Sequence, residues 1–458
     1  MYVARNPYKT DLHALIRENY RQVFFDKEVE GTNLPFHLER EFKKYLTCGI
    51  PAYGLARFHC SCCQKDKIVS FSCKGRTLCP SCTGRRTADT AKHLLEEVIP
   101  AVPVRQFVLS MPYEYRFLLA TRPEFLRKAL AIFHRTINHH YQKKAKTADL
   151  KNPKVGAITV VQRFGGALNL NVHFHTIYTD GVFHENYLGE EVFREFIPTH
   201  EEVVILTSIL KKRLDRLKFR EETIDSDAAS LSQLQAMSIQ NRDEKFRRPI
   251  PIGKMFDSDF QEFRGTRCSY DDGFSLHANV KILGSQRDGL ERLCRYILRG
   301  PIAKDRISYD DSGKVKLKLK SPYADGTTHL QFTTDQFIKR VIALIPPPRQ
   351  NLIRYIGVFG ARHKKRSVIT GMAQPKKEKI KKKVYRTPWA ELLKHVFKYE
   401  VNYCDHCGTK LELIATITSR YVCQKILNHL RLPVHEVNAV APRAPPEFEY
   451  FDQTPEYF

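Results

Sequence analysis

The sequence predicts an α+β protein with three parts. These are an N-terminal zinc ribbon, an α/β sandwich on a central antiparallel sheet, and a small C-terminal helical region with a zinc-knuckle-like cysteine pair. Three observations lead there. Seven of the twelve cysteines fall between Cys48 and Cys82. The stretch Asn169 to Phe183 alternates polar and apolar residues as a strand does. Strand-like and helix-like periods then succeed one another through the middle of the chain without an internal repeat.

The 458 residues suffice for two or three domains with a sizeable core. The expected boundaries are 1–98 for a helical segment plus ribbon and 99–366 for the sandwich, with a polar insertion at about 223–255 read as a mobile loop. A basic linker at 367–388 and a C-terminal helix and cysteine region at 389–458 follow. Lys+Arg 75 against Asp+Glu 50 gives a net charge of +25, which points to a polyanionic partner. No window offers the ~18 apolar residues of a membrane span, and the first twenty residues lack the apolar segment of a signal peptide. Nucleic acid is therefore a better partner than a membrane.

Taken in order, residues 11–30 and 36–46 read as two helices parted by Gly31 and Pro35. Cys60-x-x-Cys63 and Cys79-x-x-Cys82 flank a short β-rich stretch, the spacing of a zinc ribbon. Four thiolates would complete a tetrahedral, structural Zn2+ site, and Cys62 or Cys73 could substitute for a neighbour. Arg85 and Arg86 follow at once and suit DNA phosphates, although a solvated basic face explains them as well. A helix over Thr90 to Val98, a strand at 104–111, a helix from Pro123 through Tyr141 and a strand at 157–164 come next. Gly165-Gly166 turns the chain back into the alternating strand.

That strand carries the candidate metal site. His173 and His175 lie at i and i+2 and so share a face with Asn169 and Asn171, whereas Leu168, Leu170, Val172 and Phe174 face the core. Two imidazoles on one face can share a divalent ion. Gln162, on the partner strand, is a weak candidate for a third ligand. Further on, residues 199–221 read as a helix and 273–282 as strand. In the helix at 286–299, Leu290, Leu293, Cys294 and Ile297 form the apolar stripe. Tyr296 is off that stripe, with Arg292 at i−4 and Arg299 at i+3 on its own face, a setting suited to a phosphate. Thr334 is the expected N-cap of the next helix. Residues 354–366 are basic and aromatic, suited to nucleic-acid backbone and bases. Cys404-x-x-Cys407 is a possible second zinc site, with Cys423, His429 or His435 as partners.

Together, FSCKGRTLCPSCTGRR, VQRFGGALNLNVHFHTIYTDGVF, LERLCRYILRGPIAKDRI, ALIPPPR and YCDHCG resemble the rolling-circle transposases of the insertion-sequence-ninety-one and common-region element family, within the HUH endonuclease superfamily. The resemblance runs over nearly the whole chain. It implies an HUH-type sandwich in which His173 and His175 match the metal-binding pair and Tyr296 the nucleophile. Founding members pair two tyrosines four residues apart on this helix. Arg292 occupies the earlier position, so the chain resembles the single-tyrosine branch.

The resemblance implies cleavage and rejoining of single-stranded DNA at transposon ends and target, through a 5′-phosphotyrosine, with Mg2+ or Mn2+. It further implies a bacterial cytoplasmic, nucleoid-associated protein, with a homodimer on DNA as one arrangement. Arg292 and Arg299 would steady the phosphate and help the phenol ionise. Two alternatives compete: a zinc-ribbon DNA-binding regulator, and a metal-dependent phosphodiesterase using water. Tyr309 and Tyr178 are the competing nucleophiles, and neither has an arginine on each side at helical spacing.

Overall fold

Amphipathic patterning and Gly/Pro breaks set most of the element boundaries. The computed structural model describes residues 10–219, 229–240, 267–303, 306–309, 313–319, 322–323, 325–371 and 402–443. The N-terminal part comprises α1 (Asp11–Val29), α2 (Phe36–Leu46), β1 (Leu55–His59), β2 (Asp66–Ser70) and α3 (Pro80–His93), the last prolonged by one π-helical turn at Leu94–Val98. Then come β3 (Val104–Ser110), α4 (Tyr113–Thr121), α5 (Pro123–Thr147), β4 (Lys151–Lys154), β5 (Gly156–Phe164), β6 (Leu170–Thr179), β7 (Gly181–Glu185), β8 (Glu191–Glu195), α6 (His200–Phe219) and α7 (Ala229–Gln240). The second half holds β9 (Cys268–Asp271), β10 (Phe274–His277), β11 (Lys281–Ile282), α8 (Arg287–Leu298), β12 (Ile307–Tyr309), β13 (Val315–Lys318), β14 (His329–Phe332), α9 (Thr334–Leu344), β15 (Ile353–Gly357) and α10 (Arg366–Gly371). β16 (Glu412–Ile417) and α11 (Arg420–His429) end the described chain.

The central sheet has seven strands in the order β15-β5-β6-β3-β10-β9, with β11 also paired to β3, and its pairings are antiparallel. Alternation along β6 divides its side chains between two cores. Val172, Phe174 and Tyr178 pack with Phe125, Ala129, Phe133 and Ile137 of α5. On the opposite face, Ile177 joins Val104, Ile158 and Val160 beneath Leu290, Leu293, Cys294 and Ile297 of α8 and Ala91, Leu94 and Val98 of the α3 segment. Helices thus cover both faces, and β6 is buried along its whole length.

Two buried polar clusters on the α5 face of the sheet are satisfied internally. Arg105 forms a bidentate pair with Asp180 at 2.6 and 2.8 Å, and Tyr141 donates its hydroxyl to the same carboxylate. His134 of α5 bonds the Tyr178 hydroxyl at 2.7 Å and Thr159 at 3.1 Å. Burying a polar group without such partners would cost a few kcal/mol.

Several expectations need correction. Residues 229–240, within the expected mobile loop, form α7. Its buried Leu234 and Ile239 pack into the main core, and Ser238 accepts a hydrogen bond from the Leu170 backbone. The helix was hard to read because buried Ser230, Gln235 and Ser238 stand where apolar residues would mark a stripe. The N-cap of α9 is Thr333, not Thr334: it forms a capping box with Gln336. The basic-aromatic stretch begins as β15, an edge strand paired with β5. The C-terminal region contributes a strand to the N-terminal part, where β16 pairs with β1 in a three-stranded sheet β16-β1-β2. The remainder of the expected insertion, the lysine-rich linker core at 375–383 and the helix start at Thr387-Pro388 lie outside the described residues.

Burial holds the His134 imidazole near pKa 4, against 6.5 for the unfolded chain. Below pH 6.5 the unfolded state takes a proton that the folded state resists, so stability falls as pH drops from 6.5 toward 4, by up to about 3 kcal/mol from this residue. Urea unfolding at pH 7 and at pH 4.5 should show that loss, and His134→Gln should flatten the dependence. An equally steep dependence in the variant would contradict the assignment.

Candidate active site

β6 is the middle strand of its local triplet, with β3 on one side and β5 on the other, so its histidines are framed by both neighbours. His175 is opposite Val108 and Val160, and His173 is opposite Gln162. Both rings are buried, and their Nε2 atoms converge to 3.0 Å. His173 Nδ1 donates to the Asn171 carbonyl at 2.9 Å, which leaves the Nε2 lone pair of His173 directed at His175. His175 Nδ1 faces the Gln106 side-chain amide at 2.8 Å. A proton on His175 Nε2 then links the two rings in one polarised chain from Gln106 to the Asn171 carbonyl.

The same geometry fits a shared divalent ion. Two cis ligands at about 2.1 Å in an octahedral shell lie about 3.0 Å apart. Binding would displace the proton between the rings, and turning the Gln106 amide would let its oxygen accept from His175 Nδ1–H. Burial first, then the electrostatic influence of the neighbouring His173 and of the Arg299 guanidinium, hold the His175 pKa well below its usual value, so the ring is neutral and able to ligate near pH 7. Gln106 was not singled out in the sequence. It lies on a strand about seventy residues earlier, and only the register β3–β6 reveals it. Ser110 and its cross-strand partner Ser275 lie on the same face of the sheet. Their hydroxyls are buried with no hydrogen-bond partner among the described residues.

Gln162, opposite His173, has a structural bond of its own. Its amide donates to the Ile297 carbonyl at 2.8 Å and so ties β5 to the last turn of α8. α8 keeps its apolar stripe buried as expected and leaves Tyr296 half-buried at the edge. The Tyr296 ring stands edge-on to His175, with centroids 5.9 Å apart and planes at 89°. Arg299 lies over the tyrosine ring, its guanidinium carbon 4.6 Å from the centroid. Arg292 is exposed one turn earlier. The competing tyrosines are elsewhere. Tyr178 is fully buried on the far face against His134, and burial raises its pKa further. Tyr309 belongs to the separate β12-β13-β14 sheet, with its pKa pushed up to about 12 by burial.

The cysteines group otherwise than a single ribbon requires. Cys79 and Cys82 gather with Cys48 and Cys73, while Cys60 and Cys63 gather with Cys404 and Cys407. The β1–β2 hairpin explains the division. Cys60 and Cys63 occupy its turn, and its two five-residue strands, roughly 16 Å long, carry the chain back before Cys73. There Gly49 bonds Phe71, which brings Cys73 beside Cys48. Cys62 is exposed and in neither group. Cys423 is buried against the Ile417 carbonyl, and neither His429 nor His435 is in a group.

In the first group, Cys48 lies 3.7 Å from Cys79 and 3.6 Å from Cys82, and Cys73 lies 3.4 Å from Cys82. Tetrahedral zinc with Zn–S near 2.3 Å separates its sulfurs by about 3.8 Å, so the donor set fits that ion. The Cys73 backbone N–H also points at Cys48 Sγ and the Gly75 N–H at Cys73 Sγ, which favours thiolates. A hydrogen bond from Cys48, then one from Cys73, lowers the Cys82 thiol to about 7. Cys79 caps α3, and α3 packs on α8. Thr87 donates to the Leu298 carbonyl at 2.8 Å, and a Cβ at Gly300 would come within 3.0 Å of Thr83. Arg85 bonds the Ser72 hydroxyl and Arg86 the Lys74 carbonyl, so both brace the loop carrying Cys73.

Two family models match the chain: a transposase zinc-binding domain over residues 16–111 and a transposase domain over residues 156–367. No curated protein and no solved structure matches significantly. The zinc-binding model is that of the insertion-sequence-ninety-one (IS91) transposases, and its match spans all four cysteines of the first group. The transposase match spans the histidine strand and the tyrosine helix. With the two matches in this order, the chain belongs to the IS91-like transposases, with an N-terminal zinc-binding domain and DNA as its partner.

Proposed function

We propose that the chain cleaves and rejoins single-stranded DNA through a 5′-phosphotyrosine on Tyr296, with a divalent ion on His173 and His175, in rolling-circle-type transposition of an insertion sequence. The observation that carries this reading is the contact between the Tyr296 and His175 rings. A phenol and two convergent imidazoles border the same space on the polar face of an HUH-type sheet. Mg2+ or Mn2+, when bound, supplies the positive charge that a phosphodiester needs before an anionic nucleophile can approach.

The remaining work falls to side chains. Tyr296 Oη attacks phosphorus as its phenolic proton passes to solvent, the bond from phosphorus to the 3′-oxygen breaks, and that oxygen takes up a proton from solvent and leaves as a hydroxyl. Attack by a 3′-hydroxyl reverses the step and frees Tyr296, so no ATP is consumed. Arg299 brings positive charge to the reacting phosphate and holds the ring. Gln106 fixes the orientation of His175. The net charge of +25 and the exposed Arg292 favour an unpaired anionic strand along this face. Arg292 stands where founding members carry a second tyrosine. One nucleophile must therefore be reused, be supplied by a second copy in a homodimer on DNA, or leave the later steps to host replication. Zn2+ on Cys48, Cys73, Cys79 and Cys82 has a structural role: it fixes α3, against which α8 rests.

Labelled single-stranded DNA, protein and Mn2+, resolved by denaturing electrophoresis, test the reading. The wild-type chain should give a shifted covalent band. Tyr296→Phe should abolish that band while changing DNA affinity by no more than about twofold, because affinity rests on many phosphate contacts. Free fragments without an adduct would indicate hydrolysis by water, and intact DNA throughout would indicate a DNA-binding regulator.

His175→Ala should remove cleavage and leave binding intact, whereas wild-type cleavage in EDTA would exclude a metal role for this strand. Gln106→Ala should raise the Mn2+ concentration needed for half-maximal cleavage by about 10–100-fold. No change would mean that Gln106 does not orient His175. Cys82→Ser should release one zinc per chain and reduce cleavage through α3. Full zinc retention in that variant would show that the ligand set is different.

A further inference from the structure

The second cysteine group joins the two ends of the described chain. Cys60 Sγ lies 3.4 Å from Cys407 Sγ and Cys63 Sγ 3.5 Å from Cys404 Sγ, across more than 340 residues. All four sulfurs lie within 4.8 Å of one another. Neither family match reaches Cys404 or Cys407.

The two C-x-x-C turns have the same backbone form. In the first, the Cys60 N–H donates to the Lys65 carbonyl at 3.0 Å and the Gln64 N–H to the Cys60 carbonyl at 2.9 Å. In the second, the Cys404 N–H donates to Thr409 at 2.8 Å and the Gly408 N–H to Cys404 at 3.0 Å. The residue after each second cysteine is left-handed, Gln64 at φ 57° and Gly408 at φ 73°. Each turn directs two sulfurs to one side, and the turns oppose each other at the end of the β1–β16 pair. Lys67 adds a 2.8 Å ion pair to Asp405 across the junction. Thiols that merely fill a core have no need of duplicated turns, and Cys407 is exposed.

We infer that Cys60, Cys63, Cys404 and Cys407 bind a second zinc ion, completing a ribbon assembled from both ends of the chain and clasping the C-terminal segment to the N-terminal module. The sulfur separations sit just below the about 3.8 Å of a ZnS4 tetrahedron, and the site leaves no open position for substrate. Zinc binding and the docking of β16 onto β1 are then one equilibrium. This inference is independent of the proposed cleavage chemistry.

Metal content and amide exchange of the full-length protein test it. The wild-type chain should carry two zinc ions, and Cys404→Ser/Cys407→Ser should carry one. After cobalt exchange, the thiolate-to-cobalt absorption of the double variant should be half that of wild type. Cys407→His, which keeps a ligand at that corner, should retain two ions. In the double variant, amide exchange in β1 should accelerate while exchange in α8 stays unchanged, which also shows that the rest of the fold is intact. One zinc per chain in both wild type and double variant would overturn the site. Unchanged β1 exchange after loss of the second ion would overturn the clasp.

Discussion

The position of α8 is the constraint on which the site depends. A helix C-terminus leaves carbonyls without intrahelical partners. Here two of them are satisfied by side chains from different bodies: Ile297 by Gln162 of the sheet, and Leu298 by Thr87 of the zinc module. The apolar stripe of α8 seals the interval between them against Ile158, Val160 and Ile177. Tyr296 is thereby fixed from two directions beside histidines that β6 holds rigidly. The zinc-binding module and the sheet are thereby coupled through one helix. The first cysteine group sets α3, α3 sets α8, and α8 presents the tyrosine.

The reverse face of β6 supplies the stiffness. Phe174 and Tyr178 pack into the α5 core, and Thr176 bonds Thr159, which in turn bonds His134. The buried Arg105–Asp180 pair fixes the β3–β6 edge, the same pair of strands that brings Gln106 to His175. A buried pair of this kind is weak evidence for added stability, but removing one partner would leave a charge without compensation. Register is thus specified on the α5 face by apolar packing together with buried polar contacts, and on the other face by the Gln106–His175 contact. A slip of one residue would turn both histidines into the α5 core.

Sequence patterning made the strand, the tyrosine helix and their faces legible, because both rest on local periodicity. The alternation through His173 and His175 and the stripe Leu290, Leu293, Cys294 and Ile297 reappear in the structure. What depends on long-range closure was not legible. C-x-x-C spacing identifies a knuckle and not its partner, so spacing alone matches Cys60 and Cys63 with the nearer pair in sequence. Their partner knuckle lies some 340 residues away, delivered by a strand pairing that no local pattern encodes. Gln106 and Gln162 illustrate the same limit. Each is an ordinary strand glutamine until the register shows that one orients a histidine and the other caps a helix.

The central claim is that the histidine pair and Tyr296 act on one phosphate. Pulsed electron paramagnetic resonance of Mn2+ bound to the Tyr296→Phe protein with single-stranded DNA tests this most directly, since that variant should retain substrate uncleaved. The account predicts nitrogen couplings from two imidazoles together with a phosphorus coupling from the DNA backbone, with the nitrogen couplings lost in His173→Ala/His175→Ala. Bound Mn2+ that shows phosphorus but no imidazole coupling, with the same spectrum in the histidine variant, would contradict it.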